Sequence, residues 1–167
     1  MQRNPQAKQN LNEDQLTLEI ITSLRAMSFN ASHDTMIGGH GDIIVEGKNS
    51  YLWIGEAKIY GTYGWLLAGF DQLSTRYSTG SNGETRGGLI IYIKAPSINK
   101  IMSEWRVKLK ADRSCVNIDD CTKNPLAFFS RHPHQRTGLD FRIRHIPVAL
   151  HYAPAPKPPP MRKRSVA

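Results

Sequence analysis

The chain has 167 residues, of which 40% are hydrophobic, and its 22 Lys and Arg outnumber its 14 Asp and Glu, for a formal net charge of +8. This length suits one compact domain, and the excess of positive charge favours a polyanionic partner, nucleic acid before an anionic membrane. A membrane span is excluded because no apolar run approaches about 20 residues. Cys115 and Cys121 are too few for a disulfide framework or a four-ligand zinc site, and the N-terminus lacks a hydrophobic signal segment, so we expect a cytoplasmic protein with no membrane partner.

A helix is the first element that the sequence predicts. Residues 1–11 are polar, and we expect them to be loosely ordered. Asn12 followed three positions later by Gln15 has the pattern of a capping box, and apolar residues recur behind it at helical spacing. We therefore predict a helix over 13–28. Its apolar stripe consists of Leu16, Ile20, Ile21, Leu24 and Met27.

Glu19 interrupts this stripe, and two interpretations of it are open. Either its carboxylate lies at the edge of the stripe with its head in water, or it belongs to a functional site. Residues 29–40 then connect the helix to the next element, with a short strand predicted around 35–37.

The next element is a predicted β-hairpin. Two runs of residues typical of strands, 43–45 and 51–54, flank the polar segment 47–50. Short β-rich runs on either side of a four-residue polar turn are the pattern of a hairpin.

The charged residues of the hairpin lie at the ends of its strands. Because successive side chains alternate between the two faces of a strand, Glu56 and Lys58 point to one side and Ala57 to the other. Folding at the turn brings Asp42, which starts the first strand, level with the end of the second. The hairpin is thus predicted to gather Asp42, Glu56 and Lys58 in one patch.

A second helix is predicted over 65–77, after glycines and aromatic residues that mark a turn. Gln72 and Arg76, four residues apart, share a face of this helix that we expect to look towards the hairpin site. The following segment, 78–88, is rich in Gly, Ser and Asn and carries Arg86. It is a candidate mobile loop near a substrate.

A near-continuous apolar run at 88–94 predicts a central strand that is covered on both faces. A third helix follows over 98–110, opened by Pro96. Its opposite face is basic and includes Lys100, as either a solvated surface or a phosphate track. The predicted buried stripe of this helix is Ile101, Met102, Trp105 and Leu109.

The end of the domain is predicted to be a pair of strands. The polar stretch 111–125 has no periodicity, so we expect it to be irregular. Two strands over 126–129 and 139–151 then pair around a turn at 131–138. Strict alternation in the last strand places Arg142 and Arg144 on one of its faces.

The residues beyond this pair divide the chain into two parts. We predict one domain over 1–152. The segment 153–167 is rich in proline and basic residues and cannot build a core, so we expect a flexible tail.

The predicted order of helix, hairpin, helix, strand, helix and strands describes a mixed α/β domain. Together with Gly41-Asp42 and Gly55-Glu56-Ala57-Lys58, this order resembles the PD-(D/E)xK nuclease superfamily. In those proteins a helix precedes a hairpin that carries an Asp and a Glu-x-Lys motif, and a helix and a strand follow. The resemblance covers residues 13 to about 94, half of the chain, and departs from the family at Gly41, where the family has proline.

A second part of the resemblance lies in the helix after the hairpin. Gln72 followed by Tyr77 is similar to the glutamine-containing motif of some branches, although the tyrosine comes one residue later than in that pattern. The resemblance also implies a fold for the whole domain: a restriction-endonuclease-like three-layer α/β core, with a central mixed β-sheet flanked by helices.

The resemblance implies a Mg²⁺-dependent deoxyribonuclease, with Mn²⁺ as a possible substitute. Asp42 and Glu56, with the backbone carbonyl of Ala57, would be the metal ligands, a small oxygen set that suits Mg²⁺. A divalent ion stabilises the charge that develops in phosphodiester hydrolysis, and Lys58 would orient the attacking water. In matching families an acid of the first helix sometimes assists the metal, which is the functional case for Glu19.

The same resemblance implies nucleic acid as the partner, DNA in preference to RNA and double-stranded in preference to single-stranded DNA, in an endonuclease of restriction, phage defence or DNA repair. A prokaryotic or phage-encoded setting and a homodimer or larger complex are expected. Gln72 is a possible auxiliary residue of the site. The candidate nucleic-acid-binding residues are Arg76, Arg86, Lys100, Arg142 and Arg144.

Three other interpretations are open. Glu56 and Lys58 could be a surface ion pair at a strand end, with Asp42 a turn acid. The domain could instead be a catalytically silent nucleic-acid-binding or assembly module of a larger complex. The basic tail could serve as an interaction arm, and deleting 153–167 without effect would exclude that role.

Overall fold

The structure is a computed structural model that describes residues 4–33, 35–36, 40–77 and 83–155, with the backbone alone described at 35, 36, 40, 76 and 77. The helices are α1 (Pro5–Lys8), α2 (Glu13–Ala26), α3 (Tyr63–Asp71) and α4 (Ile98–Asp112), and a π-helical segment, Gln72–Tyr77, continues α3. The strands are β1 (Asn30–Ser32), β2 (Thr35–Met36), β3 (His40–Gly41), β4 (Ile43–Glu46), β5 (Leu52–Ile59), β6 (Arg86–Ile93), β7 (Asn117–Asp120), β8 (Phe128–Pro133) and β9 (Asp140–Ala149). No helix in these ranges is both long and apolar enough to cross a membrane.

Seven of the strands form one mixed sheet in the order β1-β4-β5-β6-β9-β8-β7. The three central strands, β5, β6 and β9, run parallel to one another, and the outer pairs are antiparallel. The strands β2 and β3 pair separately as a short ribbon. The predicted α/β class with a central mixed sheet is therefore confirmed.

Helix α2 forms where its capping signals place it. The Asn12 side chain accepts a hydrogen bond from the backbone of Gln15 at 2.8 Å, and the Gln15 side chain accepts one from the backbone of Asn12 at 2.9 Å. The helix ends at Ala26, and Ser28 adopts a left-handed conformation with φ of 65°. The predicted helix is confirmed and is two residues shorter than expected.

The sheet is covered by helices on both sides. Along β6, Leu89, Ile91 and Ile93 pack in the cluster that contains the buried residues of α3 and α4, and Ile90 and Tyr92 pack in the cluster of α2. This alternation explains the near-continuous apolar run, as predicted for a central strand. The predicted stripe of α4 is likewise buried: Ile101, Met102, Trp105 and Leu109.

Four regions differ from the expectation. The predicted connection over 29–40 contains β1, which pairs with β4 at the edge of the sheet. The N-terminal segment includes α1, and Lys8 forms an ion pair with Glu19. The stretch predicted to be irregular contains β7, a polar edge strand whose residues do not alternate in hydrophobicity. Pairing with β8 holds this strand in place. Strand β8 extends through Pro133, so the connection to β9 is shorter than predicted. Of the predicted tail, residues from 156 onward lie outside the described ranges.

Candidate active site

The hairpin brings the predicted acids together. Strands β4 and β5 pair antiparallel with Ile43 opposite Gly55, and extending this register by one residue sets Asp42 beside Glu56. Oδ2 of Asp42 accepts a hydrogen bond from the backbone N–H of Ala57 at 2.8 Å. This bond holds the Asp42 carboxylate across the second strand, next to Glu56, as the hairpin pattern predicts.

Glu56 and Lys58 form a buried ion pair. Oε1 of Glu56 lies 2.5 Å from Nζ of Lys58, and the two residues are only 1% and 6% exposed. Burial acts to lower the pKa of Lys58, but the hydrogen bond and charge of Glu56 outweigh it and the pKa rises. Lys58 is therefore a fixed cation at neutral pH. Because both side chains are buried, Glu56 and Lys58 are not a solvated surface ion pair.

Helix α3 packs directly on the lysine. A Cβ atom at Gly69 would lie 2.8 Å from Cγ of Lys58, so the absence of a side chain there makes room for the lysine stem. Nζ of Lys58 lies 5.3 Å from the centroid of the Trp65 ring, which is half exposed. The helix thus positions the cation and places an aromatic surface beside it.

The second oxygen of Glu56 is unusual. Its Oε2 atom is buried and has no hydrogen-bond partner, a state that is costly for an ionised carboxylate. Burial, together with the charge of Asp42, raises the pKa of Glu56 to about 7 against the opposing effect of Lys58. Burial also raises the pKa of Asp42, although the Ala57 N–H lowers it. A bound proton or a bound cation would relieve both carboxylates.

These residues fit a small oxygen-ligand site. Asp42 and Glu56, with the backbone carbonyl of Ala57, are the oxygen groups here that could hold a cation. Across the described ranges, no group of three or more His, Cys, Asp or Glu has metal-binding geometry. The unpartnered Oε2 of Glu56 is the atom that fits a cation best.

The acid that α2 brings to the site is Glu13, which the sequence analysis missed. Its Oε2 accepts a hydrogen bond from the Ile59 backbone at 2.7 Å, and its Oε1 lies 3.5 Å from Nζ of Lys58. Glu19 is not brought to the site, because it lies in the second turn of α2 and pairs with Lys8. The position of Glu13 directly after the N-cap is explained by helix capping alone, so local signals did not point to a site role.

The helix after the hairpin carries the second predicted motif. Gln72, half-buried, opens the π-helical segment, which packs against β3, β5 and β6. A π-helical turn pairs residue i with i+5 and is one residue wider than an α-helical turn. The segment from Gln72 to Tyr77 is therefore wound more widely than the helix before it. The Arg76 side chain lies outside the description.

The predicted basic residues do not form one surface with the hairpin site. Arg86 and Arg142 are exposed side by side on β6 and β9, and Arg144 follows on the same face. That face is on the α2 side of the sheet, whereas Glu56 and Lys58 point to the α3 side. Lys100 lies on α4 and pairs loosely with Glu104 at 3.9 Å. The prediction that Arg142 and Arg144 share a face is confirmed.

Comparison with protein-family models, with curated proteins and with solved structures finds no match.

Proposed function

We propose that the protein is a Mg²⁺-dependent endonuclease that hydrolyses DNA phosphodiester bonds, with the restriction-endonuclease-like core of the PD-(D/E)xK superfamily. The observation that carries the proposal is the buried cluster of Asp42, Glu56 and Lys58, in which Oε2 of Glu56 has no hydrogen-bond partner. Buried charges of both signs that are incompletely paired are costly to fold and are typical of catalytic sites.

Each residue of the cluster has a distinct role in this proposal. Asp42 and Glu56, with the Ala57 carbonyl, hold the divalent ion, which when bound stabilises charge on the phosphate and lowers the pKa of a water. Lys58 orients the attacking water and offsets negative charge at the phosphate. Glu13 orients Lys58 and holds the end of β5 through the Ile59 N–H. Gln72 is a candidate contact to the DNA backbone.

The test is a cleavage assay in Mg²⁺ and in EDTA on linear, circular, single-stranded and branched DNA. We expect Asp42→Asn, Glu56→Gln and Lys58→Met each to lower cleavage by on the order of 100-fold while the protein stays folded by circular dichroism. Lys110→Gln, an exposed change on α4, is the matched control and keeps full activity. If all three site variants cut like the parent, and parent activity survives EDTA, the proposal is wrong.

A second candidate is a catalytically silent nucleic-acid-binding or assembly module. One observation favours it: Glu56 and Lys58 are nearly inaccessible in the described structure, at 1% and 6% exposure. Salt-dependent DNA binding without Mg²⁺-dependent cleavage of any DNA or RNA substrate would support this candidate over the nuclease.

A further inference from the structure

The α2 side of the sheet is only partly covered. Helix α2 packs over β4, β5 and the C-terminal half of β6, where Ile43, Ala57 and Tyr92 are buried. Over β8, the N-terminal half of β9 and Arg86 at the start of β6, the side chains on this face are exposed or half-buried. We call this uncovered region the open face, and it is defined by Arg86, Phe129, Arg131, Arg142 and Arg144.

Four arginines are concentrated on the open face. Arg86 is in register with Arg142 on the parallel strand, and Arg142 is in register with Arg131 on the antiparallel strand. Since neighbouring strands are about 4.8 Å apart, these three form a row roughly 10 Å long. Arg144 lies two residues along β9 from the row. This density of like charge is unfavourable unless an anion binds there.

The acids on the open face do not neutralise it. The strands place Asp119 and Asp140 on this face, of which Asp140 lies 3.9 Å from Arg131 and Asp119 accepts from the Asn117 amide. The exposed guanidinium groups of Arg86 and Arg142 are the donors that phosphate oxygens would reach.

Aromatic rings accompany the arginines. The Arg142 guanidinium lies over the Phe129 ring, 4.0 Å from its centroid, with its outer side exposed. Beside Arg144, a cavity of about 500 Å³ lies between α2 and the sheet. Its wall includes the rings of Phe29, Tyr51 and Trp53, of which Phe29 is 48% and Tyr51 40% exposed.

We propose that the open face and this cavity form a binding platform for single-stranded DNA. The arginines contact phosphates, and bases stack on the Arg142 guanidinium plane and on the rings of Tyr51 and Trp53. Exposed guanidinium groups and aromatic rings on a sheet can stack with unpaired bases. A duplex keeps its bases stacked inside the helix, so it would contact only the positive charges. The platform is separate from the hairpin site and extends the proposed function to a second, metal-independent binding site.

The experiment measures binding of the full chain to a fluorescent oligo-dT of about 20 nucleotides, by anisotropy across a salt series in EDTA. Arg86→Gln combined with Arg142→Gln changes two exposed side chains. We expect it to weaken binding at least about 10-fold and to reduce the slope of log K against log salt by about 1.4, since each single-strand phosphate contact contributes about 0.7. The comparison variant, Lys108→Gln with Lys110→Gln, removes the same charge from the basic face of α4, and we expect an unchanged slope because that face is a solvated surface and not a phosphate track.

Stacking is tested separately. Tyr51→Leu keeps an apolar side chain at the cavity but removes the ring, and we expect about 5-fold weaker binding to oligo-dT with no change in the salt slope. The proposal is overturned if the double arginine variant binds like the parent, if duplex DNA binds as tightly as oligo-dT, or if oligo-rU binds more tightly. Sedimentation that shows a dimer lost on Arg142→Gln would also overturn it, because a second copy would then occupy the face.

The outcome is distinguishable from that of the proposed nuclease. Binding is measured without divalent metal and with variants outside the hairpin, so a protein that cuts no DNA could still show the expected arginine and tyrosine effects. Conversely, cleavage could depend on Asp42 and Lys58 while oligo-dT binding is unchanged in the arginine variants. That result would support the proposed nuclease and exclude the binding platform.

Discussion

Replacing Gly69 with alanine tests how α3 positions the site lysine. The added Cβ would lie 2.8 Å from Cγ and 3.1 Å from Cε of Lys58, and 3.4 Å from Cδ1 of Leu89. The first contact is too short for carbon atoms, and Cγ is not the free end of the side chain. Because Glu56 holds the far end of Lys58 at 2.5 Å, the lysine cannot swing aside without breaking that pair.

Two effects of opposite sign set the stability of this variant. Alanine is favoured over glycine in a helix interior by about 1 kcal/mol. Overpacking a close contact costs about 1–3 kcal/mol. The net change at Gly69 is therefore expected to be a loss of about 0–2 kcal/mol. The proposed DNA cleavage is expected to fall by at least about 10-fold, because displacing a reacting group by about 1 Å can lower a catalytic rate by about 100-fold.

Gly64 in the same helix provides the matched control. A Cβ atom there would meet only Oγ1 of Thr62, at 3.8 Å, an ordinary contact. Gly64→Ala should thus gain part of the helix propensity, up to about 1 kcal/mol, and leave cleavage unchanged. Urea unfolding and the Mg²⁺ cleavage assay measure both quantities. A Gly69→Ala protein that is as stable as the Gly64→Ala protein and equally active would refute the close packing of α3 on Lys58.

Further predictions concern α2 and the buried histidines. Glu13→Gln should lower cleavage about 10-fold by removing one of the two carboxylates that orient Lys58, whereas Glu19→Gln should not; equal effects in the assay would contradict the placement of α2. Burial lowers the pKa of His132 to about 4, so between pH 6.5 and 4 the unfolded chain binds more protons and stability falls as pH falls. The stability advantage of the parent over His132→Gln, from urea unfolding, should shrink by about 3 kcal/mol between pH 7 and 4, and a constant advantage would contradict this. Trp105→Phe removes the N–H that donates to Nδ1 of buried His145 at 3.1 Å and should cost about 1–3 kcal/mol in the same unfolding experiment, where a loss near zero would count against this role.

Much of the fold was predictable because its signals are local. The capping box at Asn12 and Gln15 and the polar turn of the hairpin need only neighbouring residues to act. Helix α4 could be predicted for the same reason, from the helical spacing of its apolar residues. The alternation of strand side chains was also enough to place Glu56 and Lys58 on one side and to bring Asp42 towards them.

Other features depend on contacts between segments that are distant in sequence. The π-helical turn at Gln72 interrupts a pattern that the sequence presents as one continuous helix. Strand β7 has no apolar alternation of its own and exists through its pairing with β8. The spacing of apolar residues does not report the width of a helical turn or the pairing of an edge strand. Neither feature could therefore be predicted from the sequence.

By itself, the sequence determined the hairpin and the acid–lysine cluster at its strand ends, because turn composition and two-residue alternation are properties of the local chain. The tertiary structure decided which helix acid reaches Lys58: the crossing of α2 over the sheet brings Glu13 there and leaves Glu19 with Lys8. It also decided that Arg142 faces away from the cluster. The side of the sheet on which a strand's residues fall depends on register and strand order, which are set by packing across the whole domain.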